Sequence, residues 1–245
     1  MHNFTDRTIR EIALEAPLTT RVFEEFKIDF CCGGRVPFNE ACRSAGVDPF
    51  AVLAKLETVI NKGPEAGAAE TKNPSELIAH IVDTHHEFTR REIDRLGPLA
   101  AKVENRHGEN HPELAKIREL FDELGDDMLP HMHKEEAVLF PYIERLYLCA
   151  EKHLTPPIPA FGTVRNPVRM MMFEHDRASE LLRSMRELSH DYTAPEDACP
   201  SYKGLYAGLE DLERDLHRHV HLENNVLFPR AIELEAEPQA REAAF

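Results

Sequence analysis

The stretch HMHKEEAVLFP, His131 to Pro141, recurs as HVHLENNVLFP, His219 to Pro229. The copies agree at both histidines, at the glutamate two residues beyond them and through Val-Leu-Phe-Pro, at a constant offset of 219 − 131 = 88. One long offset held across a whole motif marks an internal duplication. Upstream of each copy lies a further histidine, His86 in VDTHHEFTRREI and His175 in MMFEHDRASELL, with 175 − 86 = 89. Each half therefore reads as a helix with one histidine, a loop, and a helix with His-x-x-x-Glu.

Positions i and i+4 of a helix lie about 40° apart in azimuth and about 6 Å apart along the axis. His131 and Glu135 thus project from one face, and His219 and Glu223 do the same. Two such halves, packed as a four-helix bundle, are expected to bring His86, His131, His175 and His219 together with Glu135 and Glu223 as a dinuclear metal site. A single histidine on an apolar face is ordinarily a hydrogen-bonded core residue, but six residues in duplicated register are not accounted for that way. Imidazole and carboxylate without thiolate suit iron or manganese pairs and leave zinc open. Two histidines per ion and two bridging glutamates leave positions for nitric oxide, dioxygen, hydroxide or oxide. Ferritin-like di-iron proteins use the order Glu-x-x-His and more carboxylates. The reversed, histidine-rich order here points to a hemerythrin-like bundle in an all-α fold.

The remaining histidines separate by position. His133 and His221 fall about 200° around the helix from His131 and His219 and are expected at the surface or behind the ligands. His85 lies about 100° from His86, and the match of His86-Glu87 to His175-Asp176 favours His86 as the ligand. His2, His107, His111, His153 and His190 are expected in solvent. Pro130, directly before His131, is expected to kink its helix, and Pro141 and Pro229 to bend or stop theirs beyond the glutamates.

Composition bounds the rest. The 245 residues are 42% hydrophobic and 30% charged, an ordinary globular balance. No apolar run approaches a membrane span, and the N-terminus lacks the apolar centre of an export signal, so a cytoplasmic protein is expected. A net charge of −15 argues against nucleic acid or an anionic membrane as partner. Five cysteines without an export signal do not make a disulfide framework. Cys42, Cys149 and Cys199 read as small, wholly or partly buried side chains. Cys31 and Cys32, in IDFCCGGR, read equally as a structural turn or as a reactive pair whose thiols neighbouring amides and Arg35 would activate.

Pro and Gly punctuation divides the chain into a small helical domain over residues 1–60, a linker over 61–73, the bundle over 74–233 and a flexible tail over 234–245. Asn73-Pro74-Ser75-Glu76 has the form of a helix start, and Asn166-Pro167 opens the third long helix similarly.

Taken together, Cys31-Cys32-Gly33-Gly34, His131-x-x-x-Glu135-Glu136 with Leu-Phe-Pro, Glu174-His175-Asp176, and His219-x-x-x-Glu223-Asn-Asn-Val-Leu-Phe-Pro resemble the repair of iron centres (RIC) di-iron proteins. The resemblance runs from about residue 5 to 232. It implies two iron ions per chain, bridged by oxo or hydroxo groups and by Glu135 and Glu223, with His86, His131, His175 and His219 as terminal ligands. It further implies a cytoplasmic protein that restores iron-sulfur clusters damaged by nitric oxide or peroxide by supplying iron, with damaged iron-sulfur proteins as partners. Cys31 and Cys32 would match the family's di-cysteine motif, as redox or iron-transfer thiols. Reduction of nitric oxide to nitrous oxide at the di-iron site is the enzymatic alternative, although no flavin or nicotinamide motif is present to feed it electrons. A hemerythrin-like sensor of dioxygen or nitric oxide is the binding alternative. The N-terminal domain also offers a surface on which a homodimer would form.

Overall fold

The computed structural model describes residue 4 and residues 7–16, 18–30, 34–61 and 72–242. Regular structure among them is helical, apart from a β-bridge between Thr8 and Pro37. In chain order the α-helices are α1 (Ile9–Glu15), α2 (Thr19–Glu25), α3 (Phe38–Ser44), α4 (Pro49–Asn61), α5 (Pro74–His80), α6 (Glu87–His107), α7 (Glu113–Lys134), α8 (Phe140–Glu151), α9 (Arg165–Leu188), α10 (Pro200–His221) and α11 (Phe228–Glu242). Three wider, π-helical segments interrupt them: Ile81–His86, Glu135–Leu139 and Leu222–Leu227. The chain packs as two compact units. No helix among the described residues is long and apolar enough to cross a membrane.

One unit, residues 81–142 and 158–216, is built on four long helices around one core. The buried side chains of α7 (Leu114, Ile117, Phe121, Leu124 and Met128) recur at spacings of three and four, the stripe an amphipathic helix turns inward. They meet Leu96 and Val103 of α6, Leu182 and Met185 of α9, and Leu205, Leu209 and Leu212 of α10. Each such side chain, fully buried, contributes roughly 1.5–3 kcal/mol of transfer free energy. Gly208 lets α10 lie close on α6, since a Cβ there would sit 2.6 Å from Leu96 Cδ2. The turn after α9 runs through His190, Asp191 and Tyr192, all left-handed at φ 49°, 60° and 55°. The Ser189 hydroxyl accepts the Tyr192 N–H at 2.9 Å, which helps hold that unusual backbone.

The other unit holds residues 1–80, 143–157 and 217–245. Here α1 to α4 close on Ile9, Ile12, Phe23, Phe30, Phe38, Val52 and Leu56. Thr8 and Glu11 form a reciprocal capping box at the start of α1. The expected start of α5 has the same logic: the Glu76 N–H donates to Asn73 Oδ1 at 3.0 Å, and the Asn73 N–H donates to Glu76 Oε2 at 3.3 Å. The start of α9 differs from expectation, because the helix begins at Arg165 and the Asn166 amide instead donates to the Phe161 carbonyl at 2.9 Å.

Neither duplicated proline ends its helix. Phe140 donates its N–H to the Glu135 carbonyl and Phe228 to that of Glu223, each five residues back instead of four. Pro141 and Pro229 follow at once, at positions where the missing donor coincides with the shift of register back to an α-helix. Pro130 likewise sits inside a continuous α7.

Candidate metal centre

The two π-helical segments that contain glutamates begin at, or one residue before, the carboxylate that the duplication singles out, and the remaining segment ends on His86. A π turn adds one residue to the helical ladder and so re-aims the side chains that flank it. Such turns concentrate at functional sites. His175 stands apart, on the regular helix α9.

Within the four-helix unit, His86, His131, Glu135 and His175 converge and are completely buried. Glu135 Oε2 lies 3.5 Å from His86 Nε2 and 3.4 Å from His131 Nε2, so a single carboxylate faces two imidazoles from different helices. The Nε2 atoms of His131 and His175 are 3.0 Å apart, with their rings edge to face at 4.7 Å. One ligand atom each from His131, Glu135 and His175 falls within 4.8 Å of the others, a span a metal ion fills.

The outward nitrogens explain the inward ones. His86 Nδ1 is 2.6 Å from Glu136 Oε1, and His131 Nδ1 is 2.8 Å from Glu174 Oε2. An ionised carboxylate only accepts, so each Nδ1 carries the proton, and in the neutral ring each Nε2 then has its lone pair toward the interior. Arg90 donates to Glu136 at 2.6 Å, and Lys134 bonds Glu174. Burial works against ionisation of Glu136, but the Arg90 and His86 hydrogen bonds outweigh it and hold its carboxyl below the usual carboxylate range. The hydrogen bond from His131 leads in drawing Glu174 down to about 2. The His86 ring is also stacked on Phe140, at 5.8 Å and 20°. His85 points elsewhere, with its Nδ1 3.0 Å from Asp215 Oδ1.

The other unit holds His219 and Glu223, both fully buried, with Nε2 and Oε1 3.0 Å apart across one turn. Beside them His221, expected at the surface or behind the ligands, is not at the surface. It is buried, its ring centroid is 5.4 Å from that of Phe30, and its Nδ1 lies 3.0 Å from the Asn225 amide nitrogen. That amide also donates to the Phe30 carbonyl at 3.2 Å. Burial pushes His221 down to about 4. His133, its counterpart, is exposed as expected.

Buried carboxylates are costly unless something positive compensates them. The inward donor set of imidazole nitrogens and carboxylate oxygens, with the outer nitrogens of His86 and His131 already hydrogen-bonded, fits divalent iron or a similar cation. In the sequence Glu136 and Glu174 stand only as parts of the motifs that carry the resemblance, and the hold of Glu174 on His131 was missed. Its readable trace was the acid directly before His175. His107 and His111, expected in solvent, are partly buried and paired with Cys199 and Asp197. Cys31 and Cys32 lie outside the described residues.

The chain matches the family described as the hemerythrin HHE cation binding domain over residues 77–231, and a second family, described as a domain of unknown function, over residues 5–60. It is similar to the iron-sulfur cluster repair protein ScdA of Staphylococcus haemolyticus, at 33% identity over 90% of this chain and 95% of the relative. It is also similar to the iron-sulfur cluster repair protein YtfE of Dickeya chrysanthemi, at 31% identity over 95% of this chain and 99% of the relative.

Proposed function

Because the chain belongs to the family of iron-sulfur cluster repair proteins that carry a hemerythrin HHE domain, we propose that it holds two iron ions and supplies iron to damaged iron-sulfur clusters in the cytoplasm. His86, His131, His175 and His219 are the terminal ligands in this reading, and Glu135 and Glu223 bridge. The observation that carries it is the buried Glu135 carboxylate facing both His86 and His131, whose outer nitrogens are already committed to Glu136 and Glu174. The duplication extends the reading to His219 and Glu223, which repeat His131 and Glu135 residue for residue. Bound iron would supply Lewis acidity and redox chemistry, and would itself be the cargo of repair.

The chain's own residues set how firmly that cargo is held. Glu136 and Glu174 fix the imidazole tautomer and ring orientation, which favours binding. The bridging carboxylates can shift binding mode or take up a proton, so they release a metal more readily than a closed thiolate cage does. Damaged iron-sulfur proteins are the partners in this account. Its test is transfer: the iron-loaded protein is mixed anaerobically with a nitrosylated iron-sulfur protein, and cluster recovery is followed with the wild type and with Glu135→Ala. Recovery with the wild type and none with the variant is expected. Equal recovery with both contradicts the assignment.

A further inference from the structure

We propose that the exposed face of α9, with the π turn beside it, docks the acidic surface of a damaged iron-sulfur protein; the inference rests on the repair reading and adds where the recipient sits. Three large apolar side chains lie open here, Val138, Met170 and Phe173, at 50%, 53% and 65% exposure. Scattered singly, such residues need no explanation, whereas grouped together they mark a contact surface.

The grouping follows from the packing of α7 against α9. Glu174 bonds His131 and Lys134, whereas Arg177, three residues on, reaches Asp127 and Glu123, so α9 advances as α7 recedes. Met170 stands one turn before Glu174, and Val138 one turn beyond Lys134, which sets the two apolar side chains at one level. Around α9, Met170 falls between Phe173 and Glu174. The same face brings a proposed ligand near water. Glu174, itself partly exposed, holds the Nδ1 of buried His131 at 2.8 Å, and Val138 lies three residues past Glu135 in the same π segment. One carboxylate therefore separates a ligand imidazole from solvent at the edge of the patch, so seating a recipient there and reaching the centre coincide.

Charge selects the partner. The chain has 44 acids against 29 bases, yet from Arg165 to Phe173 it carries two arginines and no acid. The exposed side chains of that run are Arg165, Asn166, Arg169, Met170 and Phe173. Lys134 adds a further cation at the edge, shared with Glu174. Cations beside an apolar centre fit a partner whose face is acidic around an apolar patch, and they steer its approach. A second copy of this chain fits poorly, because a two-fold pairing of the same face sets Arg165 and Arg169 against their own counterparts.

The test titrates the full-length, iron-loaded protein with a nitrosylated acidic ferredoxin at low and high salt, with iron transfer followed in parallel. The wild type is expected to bind, and more weakly as salt rises. Arg169→Glu and Phe173→Ser should each weaken binding by about ten-fold at low salt while iron content holds, and Arg169→Glu alone should flatten the salt dependence. Phe50→Ser, which removes a still more exposed aromatic from α4, should leave the affinity as it was. No binding by the wild type, an unchanged affinity in Phe173→Ser, or an equal loss in Phe50→Ser overturns the docking face. Ferredoxin binding that persists in Phe173→Ser, while that variant loses adhesion to anionic vesicles or falls from dimer to monomer, assigns the patch to a membrane or to a second copy and overturns it too. Binding that depends on Phe173 and Arg169 but transfers no iron supports the face and contradicts the repair reading instead.

Discussion

The duplicated copies, 131–141 and 219–229, keep the same ligand pattern and the same π-helical turn yet differ in what surrounds them. In the first, the π segment alternates between interior and solvent: Glu135 and Leu139 are buried while Val138 is half exposed. In the second, every residue from Leu222 to Leu227 is buried. The side chain after the duplicated glutamate follows suit. Where water reaches it stands Glu136, a charge shared between His86 and Arg90. Where water is excluded stand Asn224 and Asn225, and Asn225 joins His221 to the Phe30 carbonyl without burying a charge. Duplication thus preserved the groups directed at the proposed metal, and the local dielectric decided the rest.

The comparison predicts a ranked series of effects. The largest falls where the copies are alike: Glu135→Ala and Glu223→Ala should each lower iron below two per chain by metal analysis. Full occupancy in both variants would break the proposed equivalence of the copies. Next come the carboxylates behind the imidazoles. Glu136→Ala or Glu174→Ala should weaken metal affinity by about 10- to 100-fold, measured by competition with a chelator. Asn225→Ala removes two hydrogen bonds in a buried setting and should cost about 1–3 kcal/mol in urea unfolding. The smallest effects make the sharpest contrast: Val226→Ala, in the buried copy, should cost about 1–2 kcal/mol, and Val138→Ala, half exposed in the other, should stay within about 0.5 kcal/mol. Equal costs for the two valines would show that the copies do not differ in burial.

Much of this architecture was legible in the residues. The spacing of apolar positions announced the long helices, the Asn73 to Glu76 pattern announced a cap that forms as expected, and the repeat of His-Glu against His-Asp separated His86 from His85. The π turns were not legible, because one added residue leaves the i, i+4 match of His131 and Glu135 intact. Only the prolines after Leu-Phe hinted at a shifted ladder, and they read as easily as helix ends. Glu174 escaped notice because it acts on His131, a residue of another helix, through a contact created by packing. The burial of His221 was hidden for a related reason: helical azimuth tells which way a side chain points but not what covers it, and Phe30 lies nearly two hundred residues earlier in the chain.

Iron accounting through one repair reaction tests the central claim most directly. Mössbauer spectroscopy and metal analysis would be run on anaerobically purified protein before and after mixing with a nitrosylated iron-sulfur protein whose cluster is followed in parallel. The account predicts two coupled irons per chain at the start and a loss of iron that keeps pace with the returning cluster. Iron that stays fully in place while the cluster recovers, or protein that never holds iron, would contradict it.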